Sequence, residues 1–149
     1  MIRLITILIT SAAILGGPEG NFGGLSQQDL NVMKAETIFQ VARQAKQAKK
    51  YDEARDHLKK ILALDFPQTA QAQNLLGGTH LLLGQVEYTQ GNIHQAKVSA
   101  DQAVALCRDG VMLSEAYKLL SRIAKDLGDG AGSEAHLKRA MEILEKVGQ

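Results

Sequence analysis

The chain has 149 residues, of which 45% are hydrophobic, and this is enough apolar content for the core of one ordinary domain. Its 17 basic and 16 acidic residues leave a formal charge of +1, so no overall positive field favours nucleic acid as a partner. Aromatic residues make up only 4%, and the single Cys107 cannot form an internal disulfide, so stability must come from aliphatic packing.

The N-terminus differs in composition from the rest of the chain. Arg3 precedes an apolar run, and Ser11-Ala12-Ala13 then provides the small residues that a signal peptidase favours. Residues 1–15 are therefore expected to be an export signal, with a buried apolar helix or strand as the alternative. As one helix, residues 2–15 would extend only about 21 Å, which is short of a hydrocarbon core of about 30 Å. The expected location is exported or periplasmic, and the alternatives are membrane association through this segment or a cytoplasmic location.

After a Gly- and Pro-rich linker at residues 16–25, the apolar residues recur every three or four positions. Ser26 and Asp29 have the spacing of an N-cap with an acidic partner, which predicts a helix over residues 27–49. A second helix is predicted from Tyr51 to just before Phe66-Pro67. No segment beyond the linker alternates with period two, so the predicted class is all-α.

Three pairs of small residues share a spacing of twelve. They are Ala42 and Ala54, Gly84 and Ala96, and Ser121 and Ser133. With a turn near its middle, this spacing places one small residue on each arm of a helical hairpin, where the two helices cross most closely. The pattern therefore predicts three successive helical hairpins.

The repeated pattern resembles the tetratricopeptide repeat, whose signature has a Leu-Gly pair in the first helix and two spaced Ala residues in the second. The best copy contains Leu83-Gly84, Gly91-Asn92, Ala96 and Ala103. The resemblance covers roughly residues 35–147, in copies at about 35–68, 69–110 and 114–147. It implies a short α-solenoid of about three hairpins within a domain at residues 26–149. A five- or six-helix bundle without repeat ancestry is the alternative.

The copies depart from the family pattern in several ways. The position of the family's Trp is occupied by Ile38, His80 and Tyr117, and the second members of the small pairs stand 42 and then 37 residues apart. The extra length predicts that the first helix of the second copy starts near Gln68 and continues past Gly77-Gly78, which would be a weak point or a bend. Three further extra residues are expected in a loop at Cys107–Leu113.

The chain offers no constellation typical of catalysis. No two of its four His residues have the zinc-protease spacing, and no Gly-rich stretch precedes a Lys-Ser or Lys-Thr step. No nucleophile, base and orienting group are suggested together, and Cys107 is interpreted as a small buried hydrophobic residue. We therefore expect neither an enzyme nor a metal site, a cofactor or a small-molecule substrate.

In the tetratricopeptide family, the first helices of successive hairpins line a concave groove that receives an extended peptide or a partner helix. The alignment of the three copies implies groove positions at Phe39, Arg43, Lys46, Gln47, Leu81, Gln85, Tyr88, Lys118, Arg122 and Lys125. Such a groove would be basic, with Tyr88 as its aromatic centre. The family's grip on a C-terminal carboxylate is not expected, because Phe39 and Arg43 stand where it requires Lys and Asn.

The resemblance thus implies a non-catalytic protein-protein interaction module, an adaptor or scaffold that binds an acidic peptide or helix of another protein. The alternative is a structural subunit or assembly factor of a larger cell-envelope or membrane complex. The polar residues of the segment Glu134–Val147 suit a helix that caps the repeats. The helix at 27–49 has no preceding neighbour, so its flank is a candidate docking surface.

Overall fold

The computed structural model describes residues 24–149, so the apolar segment 1–15 and most of the predicted linker lie outside the described residues. Six helices follow one another: α1 (Gln27–Gln47), α2 (Tyr51–Leu62), α3 (Ala70–Thr89), α4 (Ile93–Leu106), α5 (Gly110–Asp126) and α6 (Gly130–Val147). No β-strand occurs within residues 24–149. The all-α prediction is confirmed.

The predicted start of α1 is also confirmed. The Ser26 hydroxyl accepts a hydrogen bond from the Asp29 backbone N–H, and the Asp29 carboxylate accepts one from the Ser26 backbone N–H at 2.9 Å. This reciprocal capping box satisfies two of the donors that a helix start leaves without partners.

The turns inside the three helix pairs have the same geometry. Lys49, Gly91 and Gly128 each have a positive φ, of 60°, 80° and 81°, and stand 42 and 37 residues apart, as the small pairs do. In each turn the N–H of this residue donates a hydrogen bond to the carbonyl oxygen three residues back. The N–H of the next residue donates one to the carbonyl oxygen five residues back. This is the Schellman arrangement that ends a helix at a left-handed residue. One turn design, used three times, therefore joins the two helices of each pair.

The small pairs lie at the helix crossings, as the spacing of twelve predicts. Ala42, Ala54 and Ala96 are completely buried. A Cβ atom on Gly84 would come within 3.3 Å of the Ala96 carbonyl oxygen. The hydroxyls of Ser121 and Ser133 are joined by a 2.9 Å hydrogen bond across α5 and α6.

Each helix packs mainly on its neighbours in the chain. Within residues 24–149, α1 packs against α2 and α3, while α3 also packs against α4 and α5, and α6 packs against α5 alone. The second helices α2, α4 and α6 do not contact one another. The first helices α1, α3 and α5 therefore lie side by side, and their shared face carries the site described below.

The connections between the pairs account for the drift in repeat length. α3 begins at Ala70, near the predicted start, after a longer link that follows Leu62. α5 begins at Gly110, so the loop expected at Cys107–Leu113 is only three residues long. That loop is held by Asn74, whose side-chain oxygen accepts hydrogen bonds from the backbone N–H groups of Arg108 and Asp109, at 2.6 and 3.0 Å.

Gly77-Gly78, predicted as a weak point or a bend, is a site where α3 packs closely against other parts of the chain. α3 runs without interruption through both glycines. A Cβ atom on Gly77 would lie 2.8 Å from the Cys107 backbone nitrogen, so only glycine permits this close approach of α3 to the end of α4. A Cβ atom on Gly78 would meet side-chain atoms alone, Met112 Sδ at 3.3 Å and Phe39 Cζ at 3.7 Å.

The two adjacent glycines should therefore respond differently to alanine. Gly77→Ala should lower the free energy of unfolding by about 1–2 kcal/mol, because the clash with backbone outweighs the gain in helix propensity of about 1 kcal/mol. Gly78→Ala should be neutral or stabilising, since the flexible Met112 side chain can move aside. Urea denaturation of both variants measures the difference. Equal losses would mean that helix propensity or α3 bending, rather than the contact with Cys107, sets the requirement for glycine.

Candidate functional site

A groove crosses the shared face of α1, α3 and α5. One part is lined by Arg43, Lys46 and Gln47 of α1 with Leu82 and Gln85 of α3. The adjoining part adds Tyr88 and Thr89 of α3 and Glu115, Leu119 and Arg122 of α5. Lys46 and Gln85 line both parts, so the two adjoin each other, and together these residues are called the basic groove.

Three cations meet in the basic groove with little neutralisation. Lys46 is half-buried, and its ammonium donates a hydrogen bond to the Gln85 side-chain oxygen. Burial lowers the pKa of Lys46, and the positive charges of Arg122 and Arg43 lower it further. No carboxylate within residues 24–149 forms an ion pair with any of these three side chains.

Two acidic side chains at the groove, Glu115 in its lining and Asp126 beside Tyr88, have hydrogen-bond partners other than these three cations. Glu115 accepts a 2.8 Å hydrogen bond from the Lys118 ammonium. Asp126 accepts a 2.7 Å hydrogen bond from the Tyr88 hydroxyl, and this bond raises the pKa of Tyr88. The tyrosine ring is thereby held between α3 and the end of α5. The groove consequently combines three cations with one positioned aromatic side chain.

Six of the ten predicted site residues lie together in the basic groove. They are Arg43, Lys46, Gln47, Gln85, Tyr88 and Arg122. Lys118 and Lys125 line a neighbouring depression between α5 and α6, which also contains Ser121, Ser133 and Leu137. Arg122 borders both sites, so it connects the two lysines to the groove.

The two remaining predicted residues pack inside the protein. Leu81 is buried in the cluster formed by α3, α4 and α5. Phe39 is half-buried and lies with Met112 over Gly78. Neither side chain lines the basic groove; both contribute packing between helices.

Several groove residues were not predicted from the sequence. Leu82, Thr89, Glu115 and Leu119 line the groove, and Asp126 holds Tyr88. The helical spacing could have indicated two of them. Glu115 precedes Arg122 by seven residues and Thr89 follows Gln85 by four, so each shares a helix face with a predicted groove residue. Asp126 lacks such a signal, because its contact with Tyr88 spans 38 residues.

Two kinds of group could carry chemistry: the Cys107 thiol and clusters of metal-binding side chains. Cys107 is buried, and burial together with the nearby Asp109 charge raises the pKa of its thiol to about 11. A thiol in this state is a poor nucleophile, which agrees with its interpretation as a small hydrophobic residue. Within the described residues, no group of three or more His, Cys, Asp or Glu side chains could hold a metal ion.

Comparison with known proteins assigns the chain to no family. No protein-family model and no curated protein matches the chain. No helix of residues 24–149 is long and apolar enough to cross a bilayer. The functional argument therefore depends on the groove itself.

Proposed function

We propose that this chain is a short α-solenoid of tetratricopeptide-like hairpins and acts as a protein-protein interaction module. In this proposal it binds an acidic segment of another protein in the basic groove. The repeated turn at Lys49, Gly91 and Gly128 supports a repeat architecture, as does the side-by-side packing of α1, α3 and α5. A bundle without repeats has no reason to use the same turn three times at the spacing of its small pairs.

The convergence of Arg43, Lys46 and Arg122 carries the functional proposal. These cations come from two helices separated by α3, and burial together with the positive charges of Arg122 and Arg43 lowers the pKa of Lys46. Holding like charges near the half-buried Lys46 costs free energy, and no carboxylate within residues 24–149 forms an ion pair with any of the three cations. Carboxylates of a bound segment would offset it. The groove thus favours a ligand that carries negative charges.

The groove also suits a protein segment in other respects. Gln47, Gln85 and Thr89 offer hydrogen-bonding groups along its length, and the buried Leu82 and Leu119 back it from the core. Tyr88 presents a flat ring that the bond to Asp126 holds in place. Interface energy concentrates on such aromatic and Arg side chains. An extended acidic peptide with an apolar residue near Tyr88 fits this arrangement.

Selection from a displayed library of random 12-residue peptides tests the proposal. Peptides retained by the purified protein should be enriched in Asp and Glu, and their affinity should fall as salt shortens the Debye length from about 10 to about 3 Å. The combined Arg43→Glu and Arg122→Glu variant should lose most of the binding, because repulsion replaces attraction at both sides of the groove. Tyr88→Ala should cost about 2 kcal/mol of affinity.

A matched charge reversal keeps this experiment specific. Lys34 and Lys59 are exposed cations of α1 and α2 that do not line the groove, so Lys34→Glu with Lys59→Glu makes the same change in net charge. Retained binding in this control is expected. Equal losses in both double variants would mean that only net charge matters. Retained peptides without acidic residues would refute the acidic ligand.

A further inference from the structure

One face of α6 carries an apolar stripe that no other helix of residues 24–149 covers. Leu137, Met141 and Leu144, called the end stripe here, follow one another at intervals of four and three and therefore share a face of the helix. Their exposed fractions are 47%, 63% and 39%. The expectation that α6 is a polar cap is thus only partly met, because its charged residues alternate with exposed apolar ones.

The corresponding face is covered in both preceding helix pairs. Leu58 of α2 and Ala100 of α4 stand, like Leu137, four residues after the second member of a small pair. Both are completely buried, and in each case the following helix packs against the helix that carries them. The chain therefore covers this face twice with a further helix. If the same face of α6 stays in water, the protein lacks roughly 25 cal/mol of stabilisation for each Å² of apolar surface left exposed.

We infer that the α6 helix of a second copy of this chain covers the end stripe, packed antiparallel across a two-fold axis near Met141. The charges beside the stripe favour this occupant. Lys138 precedes Met141 by three residues and Glu145 follows it by four, and both border the same groove as Met141. Glu134 and Glu142 border that groove as well, and Glu142 is already paired with Arg139 of its own helix at 3.1 Å. An antiparallel copy places each Lys138 beside Glu145 of the partner subunit, and the two-fold axis forms this pair twice.

Charge also selects the orientation. In a parallel arrangement of two α6 helices, Lys138 would face Lys138 and Glu145 would face Glu145, which is unfavourable. The contact involves one helix from each copy, so it lies at the small end of specific interfaces and the dimer should be weak. The basic groove contains no α6 residue, whereas the neighbouring depression that Arg122 borders contains Leu137 of the end stripe.

Sedimentation velocity of the purified full chain tests the inference, with variants that reverse the charges of Lys138 and Glu145. From about 10 µM to about 1 mM, the chain should pass from monomer to dimer. Lys138→Glu should weaken the dimer at least about tenfold, because it sets two repulsive pairs in place of two attractive ones. Adding Glu145→Lys to that variant should restore the affinity to within about threefold. Thermal melts serve as the folding control, since both side chains are exposed.

Oxidative cross-linking locates the interface independently. Two Met141→Cys chains should form a disulfide-linked dimer readily, because the new thiols meet near the two-fold axis. Met33→Cys is the matched control, since Met33 is 55% exposed but lies on α1. The buried Cys107 thiol should stay out of the reaction. A monomer at every concentration would overturn the inference, as would a dimer insensitive to Lys138→Glu or equal cross-linking through position 33.

Discussion

Replacing Arg55 by alanine should lower the free energy of unfolding by about 3 kcal/mol. Arg55 of α2 donates a 2.8 Å hydrogen bond to the Glu87 carboxylate of α3, and the two side chains are only 20% and 9% exposed. Without the guanidinium, Glu87 would remain as a buried charge whose partner is Asn92, a neutral amide at 2.6 Å. Urea denaturation followed by circular dichroism measures the loss.

Arg139→Ala is the matched control for this substitution. Arg139 pairs with Glu142 at 3.1 Å, but these side chains are 49% and 41% exposed, so the loss of stability should be far smaller than that for Arg55→Ala. A second comparison identifies the cause. If an unpaired buried charge destabilises the Arg55→Ala variant, adding Glu87→Gln should recover part of the stability. No recovery would instead point to lost packing of the arginine stem.

Local sequence patterns predicted the helix pairs because their physical causes are local. Two helices can approach closely only where both residues at the crossing are small, so the pairs Ala42–Ala54, Gly84–Ala96 and Ser121–Ser133 record the crossings directly. The N-cap at Ser26 is equally local, since Asp29 is its partner. Glycine stands at two of the three left-handed turn positions, Gly91 and Gly128, whereas Lys49 adopts the same conformation and carries no such mark in the sequence.

The groove was predicted less completely because an alignment assigns equivalent positions but does not determine how each helix is rotated. Leu81 was expected in the groove, whereas it packs in the cluster of α3, α4 and α5, and the next residue, Leu82, borders the groove although it too is buried. One position corresponds to about 100° around a helix, which is enough to turn a side chain from the groove towards another neighbour. Phe39 packs inward because Gly78 leaves room for it, and that contact spans 39 residues.

The sequence also did not predict the contacts between helix pairs. The bond from Arg55 to Glu87 joins residues 32 apart, and the bond from Tyr88 to Asp126 joins residues 38 apart. Neither pair has a periodic signal, since each depends on how one helix pair is placed on the next. The same placement brings Lys46 near Arg122 and leaves the end stripe of α6 uncovered within residues 24–149.

Gly84→Leu should be the most damaging of the small-residue substitutions, with a loss of about 3 kcal/mol or more in the free energy of unfolding. A Cβ atom at Gly84 would already lie 3.0 Å from Leu119 Cδ2 and 3.3 Å from both the Ala96 carbonyl oxygen and Ser99 Cβ. The remaining atoms of a leucine side chain have no space between α3, α4 and α5. Overpacking of this kind typically costs about 1–3 kcal/mol, and here three helices would have to move.

The same substitution at Gly130 provides the control, because a Cβ atom there would meet no heavy atom within 4 Å. Gly130→Leu should leave the melting temperature almost unchanged, since the new side chain can extend into solvent from the first turn of α6. Ala96→Leu enters the same crossing from the α4 side and should repeat most of the loss seen for Gly84→Leu. If Gly84→Leu and Gly130→Leu unfold at the same temperature, the crossing of α3 and α4 tolerates a large side chain. The repeat register built on the small pairs would then be wrong.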